Sequence, residues 1–268
     1  MTTPSKRKLI GIPKTKRRDN YDAYLVHESR VDVHSFSIYV GGDPLLSYSP
    51  TSELGVEPGV EHLMADRFRI NLNRLIHINH KHPIIVYMSS CGGNWDEGMQ
   101  MFNSILTCPN PITVVASKWA RSMTSIIPLA ADRFLLEPYT KYMIHRGSYG
   151  FWGTDHEAET DNEEREKLRA MMYRIYATRL NEQGIHKGKP YEEIELIIDG
   201  LMKDKVDVWF DGREAVRWGF ADGTYQGNTV HLRAKSKNLV RKKNMLRLMD
   251  ARIILPKVVP IFEYRDDE

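Results

Sequence analysis

Short apolar runs predict the strands of a buried sheet. The run Pro83–Met88 is continuous, as in a strand that is covered on both faces. Similar runs follow at 112–116, 133–136 and 142–145, and a further strand begins at Ser35 and enters a Gly-Gly turn. Gly-, Pro- and Ser-rich segments separate several of these runs, so each run is short enough to be a strand rather than a helix.

Helically spaced apolar positions predict helices between these runs. The segment His62–His77 has this spacing, and Asn94 followed by Glu97 predicts an N-cap with a capping box for the next helix. Further helices are predicted over 121–131, from about Asp161 to Glu182, and over 191–202 and 212–218. Because strands and helices alternate, crossover connections are needed, and the pattern predicts an α/β fold with a mostly parallel sheet.

The composition is that of a soluble globular protein. Of the 268 residues, 41% are hydrophobic and 27% charged, and no run of 18 apolar residues occurs, so we expect no membrane span. The first residues are basic but lack the apolar stretch of a secretory signal, which favours a cytoplasmic protein. Two cysteines are too few for a disulfide scaffold or a Cys-rich zinc site.

Basic residues cluster towards both ends of the chain. Residues 1–20 are predicted to form a flexible basic tail and 234–268 a basic C-terminal extension, which leaves 21–233 as the main folded domain. The net charge of +3 does not by itself indicate nucleic-acid binding. Charge runs are usually solvated termini, so we do not expect a nucleic-acid partner, although such binding stays an alternative for the tails.

Several residues at element boundaries have the chemistry that a serine hydrolase needs. Ser122 stands at the start of an apolar helix, His145 ends an apolar strand, and Asp207 lies between two helical stretches. Gly92-Gly93 connects a strand to a helix N-terminus, where free amides can stabilise an oxyanion. Taken singly, each has a simpler explanation: an N-cap serine, a strand-end histidine, a turn aspartate and a tight turn.

The order of these residues resembles the proteolytic subunit of the Clp proteases. The matching stretches are PIIVYMSSCGGNWDEGMQMFNSI, ARSMTSIIPLAADRFLLEPYTKYMIH and DVWFDGREAVRWGFADG. The resemblance covers roughly residues 30–230. It implies a fold of the ClpP/crotonase type, with repeated β-β-α units and a long protruding "handle" helix, here the helix ending near Glu182.

The resemblance also implies the roles of individual residues. Ser122 would be the nucleophile, His145 the general base and Asp207 the group that orients the imidazole. The amides of Gly93 and Met123 would form the oxyanion hole. The glycine-rich loop that follows His145 would hold substrate peptide in an extended form, with binding residues Gly147, Ser148, Tyr149 and Gly150.

The function implied is that of a serine endopeptidase that degrades unfolded polypeptides inside its own compartment. Subunits of such proteases form homo-oligomeric rings, here expected as two stacked heptamers, and work with AAA+ unfoldases. The chain contains no Gly-x-x-x-x-Gly-Lys phosphate loop, so ATP would belong to the partner. No metal or organic cofactor is expected.

Three residues depart from the family pattern, and Asp207 has two alternatives as the third member of the triad. Cys91 replaces the usual proline before Gly-Gly, Arg121 replaces a small residue before the nucleophile, and Thr124 replaces a glycine. Extra residues between the handle and Asp207 leave Asp204 and Asp211 as alternatives for the third member of the triad.

Other functions stay open at this point. A crotonase-type acyl-CoA enzyme would use the paired amides without a triad, and a phage capsid-maturation peptidase would share the whole site. A Ser-Lys peptidase could use Lys118, and Cys91 could itself be a nucleophile. Paralogues that assemble but have lost the triad also exist in the family.

Overall fold

The computed structural model describes residues 26–42, 58–148, 150, 152–227 and 232–250. Within this part of the chain one mixed sheet forms the centre of the fold. Its eight strands are β1 (Val31–Asp32), β2 (Ser37–Gly42), β3 (Ile84–Ser90), β4 (Ile112–Arg121), β5 (Arg133–Leu136), β6 (Lys141–His145), β7 (Asp207–Phe210) and β8 (Gly223–Thr224).

The sheet is mostly parallel, as the sequence predicts. Its main order is β1-β2-β3-β4-β5-β8, and every pair from β2 to β8 in this order is parallel. Strand β6 lies outside this order, parallel to β4 and antiparallel to β7. Strand β7 was not predicted, because four residues between two helices are too short to show a clear period.

A bulge in β4 changes the partner of that strand. Its first half pairs with β5 through 113–116, and its second half pairs with β6 through 119–121. In the pairing of β3 with β4, Met88 lies opposite Ala116 and Ser90 lies opposite Ala120. Two residues of β3 therefore correspond to four residues of β4, and Lys118 in this longer segment has a φ of 54°. The extra residues bend β4 away from β5, so that its last residues lie beside β6.

The helices pack on the sheet and cover its core. The helices with both ends in the described residues are α1 (His62–Ile78), α2 (Trp95–Thr107), α3 (Met123–Ile126), α4 (Asp155–Glu182), α5 (Tyr191–Asp204), α6 (Gly212–Trp218) and α7 (Leu239–Asp250), with 3₁₀ turns at Ile127–Ala130 and Gly184–His186. Residues 26–29 are also helical. None of the helices in the described segments is long and apolar enough to cross a membrane.

Most predicted helix ends agree with the structure. The Asn94 side chain accepts hydrogen bonds from the amides of Asp96 and Glu97, which confirms the predicted N-cap of α2. Half of the predicted capping box is missing, because the Glu97 carboxylate lies 3.6 Å from Nδ1 of His62 instead. Gly219 ends α6 in the left-handed conformation, as predicted for a C-cap glycine.

The handle helix α4 begins earlier than predicted. Thr154 caps it, and Glu157 completes a reciprocal capping box. Its first turns are polar on all sides, so the apolar spacing from which a start near Asp161 was predicted begins too late. The N-terminal half of α4 is largely exposed, whereas the face around Ile175 and Leu180 is buried in the core.

Part of the predicted C-terminal extension packs on the domain. Met245 and Leu248 of α7 belong to the main hydrophobic core, and the buried Arg241 pairs with Asp222 and Glu182. The described residues 234–250 are therefore continuous with the domain. The predicted tail 1–20 and residues 251–268 lie outside the described residues.

Candidate active site

Ser122 occupies a tight corner between β4 and α3. Its backbone has φ 51° and ψ −124°, a strained conformation for an L-residue that costs on the order of 1–3 kcal/mol. Its amide donates to the carbonyl of Met143 in β6, at 2.9 Å. Ser122 does occupy the N-cap position of α3, but its hydroxyl bonds none of the amides of that helix, all of which are described.

The Ser122 hydroxyl points at His145 instead. Its Oγ lies 2.7 Å from Nε2 of His145, which is a hydrogen-bond distance. His145 ends β6, and its side chain is only 17% exposed. The serine and the histidine are thus brought together by the pairing of β4 with β6.

Asp207 faces the other nitrogen of the same imidazole. In the antiparallel pair β6–β7, Asp207 lies directly opposite His145, and the distance from its Oδ1 to Nδ1 is 3.3 Å. A carboxylate at Nδ1 favours the tautomer that carries a proton there, which leaves Nε2 free to accept the serine proton. Catalytic hydrogen bonds are often longer in unliganded proteins, and 3.3 Å is in that range.

The two substitutes for Asp207 lie elsewhere. Asp211 is the N-cap of α6, where its carboxylate accepts from the amides of Arg213 and Glu214. Asp204 is the last residue of α5. The β6–β7 register therefore places Asp207, rather than either alternative, beside His145.

Two main-chain amides are available beside the serine. Gly93 forms an isolated bridge with Val60, but both hydrogen bonds of that bridge use other amides, those of Val60 and Asn94. Met123 is the first residue of α3, where the amide has no acceptor within the helix. These are the two donors that the resemblance assigns to an oxyanion hole.

Gly92 brings the turn that carries Gly93 into contact with Ser122. A Cβ atom at Gly92 would lie 2.5 Å from Cβ of Ser122 and 3.0 Å from the amide nitrogen of Met123. Gly92 also has a φ of +97°, which other residues rarely adopt. Both the space and the backbone conformation therefore require glycine here.

Buried hydroxyl groups fix the backbone around Ser122. The Thr124 hydroxyl lies 2.8 Å from the carbonyl oxygens of Ser90 and Arg121, so this departure from the family pattern ties the ends of β3 and β4 together. The Ser125 hydroxyl donates to the carbonyl of Ser122 at 2.6 Å and contacts the Tyr176 hydroxyl, also at 2.6 Å. Burial raises the pKa of Tyr176, so its phenol stays protonated.

A cavity of about 670 Å³ opens beside the serine and histidine. Its apolar wall includes Ile126, Leu168 and Met172, whereas Arg165 and Arg169 of α4 add charge. The sequence did not assign these α4 residues to the site. Their spacing along one helical face was visible, but packing and substrate contact give the same spacing.

The predicted peptide-binding loop is only partly at the cavity. Gly147 and Ser148 line it. Gly150 is exposed and does not contribute to the cavity wall, and Tyr149 lies outside the described residues. No cluster of metal-binding side chains occurs among the residues that the structure describes.

Helix α5 anchors the residue that follows His145. The Arg146 guanidinium donates to Asp199 at 2.5 Å, and the Tyr173 hydroxyl donates to the same carboxylate at 2.8 Å. Burial alone would raise the pKa of Asp199, but Lys203, Tyr173 and Arg146 lower it to about 2. The carboxylate is therefore ionised at neutral pH and holds the end of β6 against α4 and α5.

The geometry does not support the two remaining alternatives, Cys91 as nucleophile and Lys118 as the partner of a Ser-Lys pair. The Cys91 sulfur lies 3.4 Å from the carbonyl of Pro58, while the imidazole of His145 contacts Ser122. The ammonium group of Lys118 lies over the ring of Trp119, at 3.8 Å from its centroid.

Comparisons with known proteins identify the family of the chain. The family model described as Clp protease matches residues 51–228, more than half of the chain. The ATP-dependent Clp protease proteolytic subunit 1 of Chlamydia muridarum is 30% identical over 145 residues, which cover 53% of this chain and 69% of that protein. Subunit 2 of Thermobifida fusca is 29% identical over 142 residues, 52% of this chain and 63% of that protein.

A solved structure supports the same fold. A point mutant of ClpP1 from Listeria monocytogenes superposes with a TM-score of 0.57, covering 75% of this chain and 96% of the other, at 21% identity. At that identity the likeness shows the fold alone, whereas the family match extends over the strands and helices that carry the site. The chain therefore belongs to the Clp protease family.

Proposed function

We propose that this chain is a serine endopeptidase, the proteolytic subunit of a Clp-type protease, with Ser122, His145 and Asp207 as its catalytic triad. The observation that carries the proposal is the 2.7 Å contact between Oγ of Ser122 and Nε2 of His145, with Asp207 at the other ring nitrogen. A serine bonded to an imidazole that is oriented by a carboxylate is the arrangement that activates a hydroxyl for acyl transfer.

The first half of the reaction forms an acyl-enzyme. Oγ of Ser122 attacks the peptide carbonyl carbon as its proton passes to Nε2 of His145. Asp207 accepts a hydrogen bond from Nδ1–H and stabilises the imidazolium. The amides of Gly93 and Met123 donate to the oxyanion. Collapse of the tetrahedral intermediate breaks the C–N bond, and the leaving amine takes the proton from His145.

The second half returns the enzyme to its starting state. A water molecule gives a proton to Nε2 of His145 and attacks the ester carbon, and the same two amides stabilise the second oxyanion. Departure of the carboxylic acid product returns the proton to Ser122. These steps use only groups of the chain and water, so the proposed chemistry requires no cofactor.

The proposed substrate is unfolded polypeptide in an extended conformation. The backbone of Gly147 and Ser148 lies at the cavity, where an extended peptide can add as a strand. The wall formed by Ile126, Leu168 and Met172 suits an apolar side chain next to the scissile bond. A folded protein cannot present its main chain in this way, so an unfolding step has to come first.

We further propose that the chain works in homo-oligomeric rings, two stacked heptamers, with an AAA+ unfoldase that supplies ATP hydrolysis. Family membership and the exposed first half of α4 support this proposal. A cytoplasmic location stays a prediction. The family match favours a Clp protease over a crotonase-type enzyme or a capsid-maturation peptidase.

The test compares wild type with Ser122→Ala in two assays. Wild type should cleave an unstructured fluorogenic peptide and react with a fluorophosphonate at Ser122, whereas Ser122→Ala should do neither. Ser104→Ala is the matched control, since the Ser104 hydroxyl only donates to the carbonyl of Gln100 in α2. The particle mass in solution reports ring assembly for each protein. Undiminished cleavage by assembled Ser122→Ala would show that Ser122 is not the nucleophile. Inhibition of the wild type by iodoacetamide but not by the fluorophosphonate would indicate Cys91 as the nucleophile instead.

A further inference from the structure

Arg121, the residue before the proposed nucleophile, is held between two tryptophan rings. Its guanidinium carbon lies 4.1 Å from the ring centroid of Trp119 and 4.8 Å from that of Trp209. Both distances are within the range of cation–π attraction. Trp119 belongs to β4, whereas Trp209 belongs to β7, so the guanidinium connects two strands that are not neighbours in the sheet.

The register of the strands explains how the Arg121 side chain reaches Trp209 as well as Trp119. Arg121 lies opposite Met143 of β6, and Met143 lies opposite Trp209 of β7. Directly paired residues point to the same face of a sheet, so these three side chains form a row across β4, β6 and β7. Met143 is buried in the middle of this row, and Arg121 passes over it to Trp209.

The residues of the proposed triad lie close to this row along the chain. Ser122 follows Arg121, His145 lies two residues after Met143, and Asp207 lies two residues before Trp209. Strand β7 has only four residues, and among the described strands it pairs with β6 alone. The position of Asp207 is therefore set by a short edge strand, and the contact between Arg121 and Trp209 adds a second attachment from the strand that carries the serine.

We propose that Arg121 is a positioning residue, which holds β7 through Trp209 and so keeps Asp207 in line with His145. This inference rests on the proposed function of the triad. It gives a role to a residue that departs from the family pattern, in which the position before the nucleophile is small. Arg121 acts through Asp207 and needs no contact with substrate.

The first measurement is the steady-state kinetics of Arg121→Ala on a short fluorogenic peptide. We expect roughly a tenfold lower kcat, the size of effect that one or two cation–π contacts can supply, with KM nearly unchanged. Arg121→Lys keeps the cation and should recover part of the loss. Trp209→Leu should reproduce the effect of Arg121→Ala, because it removes the other half of the attachment.

A double-mutant cycle with Asp207→Asn identifies the route of the effect. If Arg121 acts through Asp207, Arg121→Ala should slow fluorophosphonate labelling of Ser122 roughly tenfold in the wild-type background and less than twofold in the Asp207→Asn background. If Arg121→Ala slows the labelling by the same factor in both backgrounds, the proposal is wrong, and Arg121 acts on substrate or on Ser122 directly.

Lys118→Ala is the matched control. The Lys118 ammonium lies over Trp119, like the guanidinium of Arg121, but it is not stacked on Trp209. Its removal should leave kcat within twofold of wild type, and a tenfold loss would refute the proposed route through β7. If Arg121→Ala does not fold, Trp209→Leu takes its place in the cycle, since Trp209 is 46% exposed and its truncation removes little core.

Different results would refute the proposed function and the positioning role of Arg121. Full activity of Ser122→Ala refutes the proposed function and the inference with it. Wild-type kcat in both Arg121→Ala and Trp209→Leu, with activity that still depends on Ser122, refutes the inference alone. Particle mass is measured for every variant, and kcat values are compared between particles of equal mass, so lost assembly is not counted as lost positioning.

Discussion

Replacing Gly92 by alanine tests how closely the proposed oxyanion turn is fitted to the proposed nucleophile, Ser122. The added methyl group would lie 2.5 Å from Cβ of Ser122 and 2.7 Å from the carbonyl oxygen of Arg121. Carbon atoms in contact are normally about 3.5–4.0 Å apart, so the turn and Ser122 must separate by about 1 Å. Neither neighbour is the end of a flexible side chain, so the backbone itself has to move.

The expected losses follow from two separate causes. Alanine at a φ of +97° is strained by about 1–2 kcal/mol, and the forced contact adds about 1–3 kcal/mol of overpacking. The free energy of unfolding should therefore fall by about 2–5 kcal/mol. A displacement of about 1 Å between reacting groups lowers catalysis on the order of a hundredfold, and kcat should fall by that factor.

Gly188→Ala separates the two causes. Gly188 also has a positive φ, 78°, but an added Cβ there meets no atom within 4 Å. This variant should show only the backbone strain and should keep wild-type kcat. Urea unfolding gives the stabilities, and peptide cleavage gives kcat. If Gly92→Ala and Gly188→Ala lose the same stability and neither loses activity, the close fit between Gly92 and Ser122 has no functional consequence, and the reasoning is wrong.

Two further predictions concern carboxylates. Asp207→Asn should lower kcat on the order of 10⁴-fold with little change in stability. Asp211→Asn, which alters the cap of α6, should keep the activity of the wild type. Equal kcat values for the two variants would show that Asp207 is not part of the triad. Asp222 is mostly buried, and burial alone would raise its pKa, but Arg179 and Arg241 lower the value from 3.8 to about 2. Because the folded-state pKa is the lower one, its stabilisation of about 2 kcal/mol is present above pH 4 and is lost as the pH falls towards 2. Asp222→Asn should destabilise the protein by about 3–5 kcal/mol at pH 7 and flatten the dependence of the urea midpoint on pH between 4 and 2; an unchanged slope would exclude Asp222 as its source.

The elements that the sequence predicts well are those whose signal is local. Continuous apolar runs mark β3 and the first half of β4 because both faces of these strands are buried. Asn94 and Gly219 mark helix ends because a cap depends on one side chain or one backbone conformation. The order of Ser122, His145 and Asp207 was likewise available, through the resemblance and not through periodicity.

The elements that were missed depend on partners far away in the chain. Strand β7 exists because it pairs with β6, more than 60 residues earlier, and its own four residues show no reliable pattern. Helix α7 contains many basic residues and was interpreted as a solvated extension. Its Arg241 is nevertheless buried against Asp222 and Glu182, and such compensation is visible only when all three partners are in place.

The bend in β4 shows why the site itself could not be predicted from local patterns. The residues that cause it, around Lys118, have no sequence signature of a bulge, since a bulge is defined by the pairing of two strands. Yet the bend ends the pairing with β5 and begins the pairing with β6, which places Ser122 beside His145. Strand β7 then joins β6 and adds Asp207. The three groups of the proposed triad therefore meet only after two non-local strand pairings have formed, and one of these pairings involves the four-residue strand β7. The Arg121 side chain spans both pairings, because it extends from β4 to Trp209 of β7.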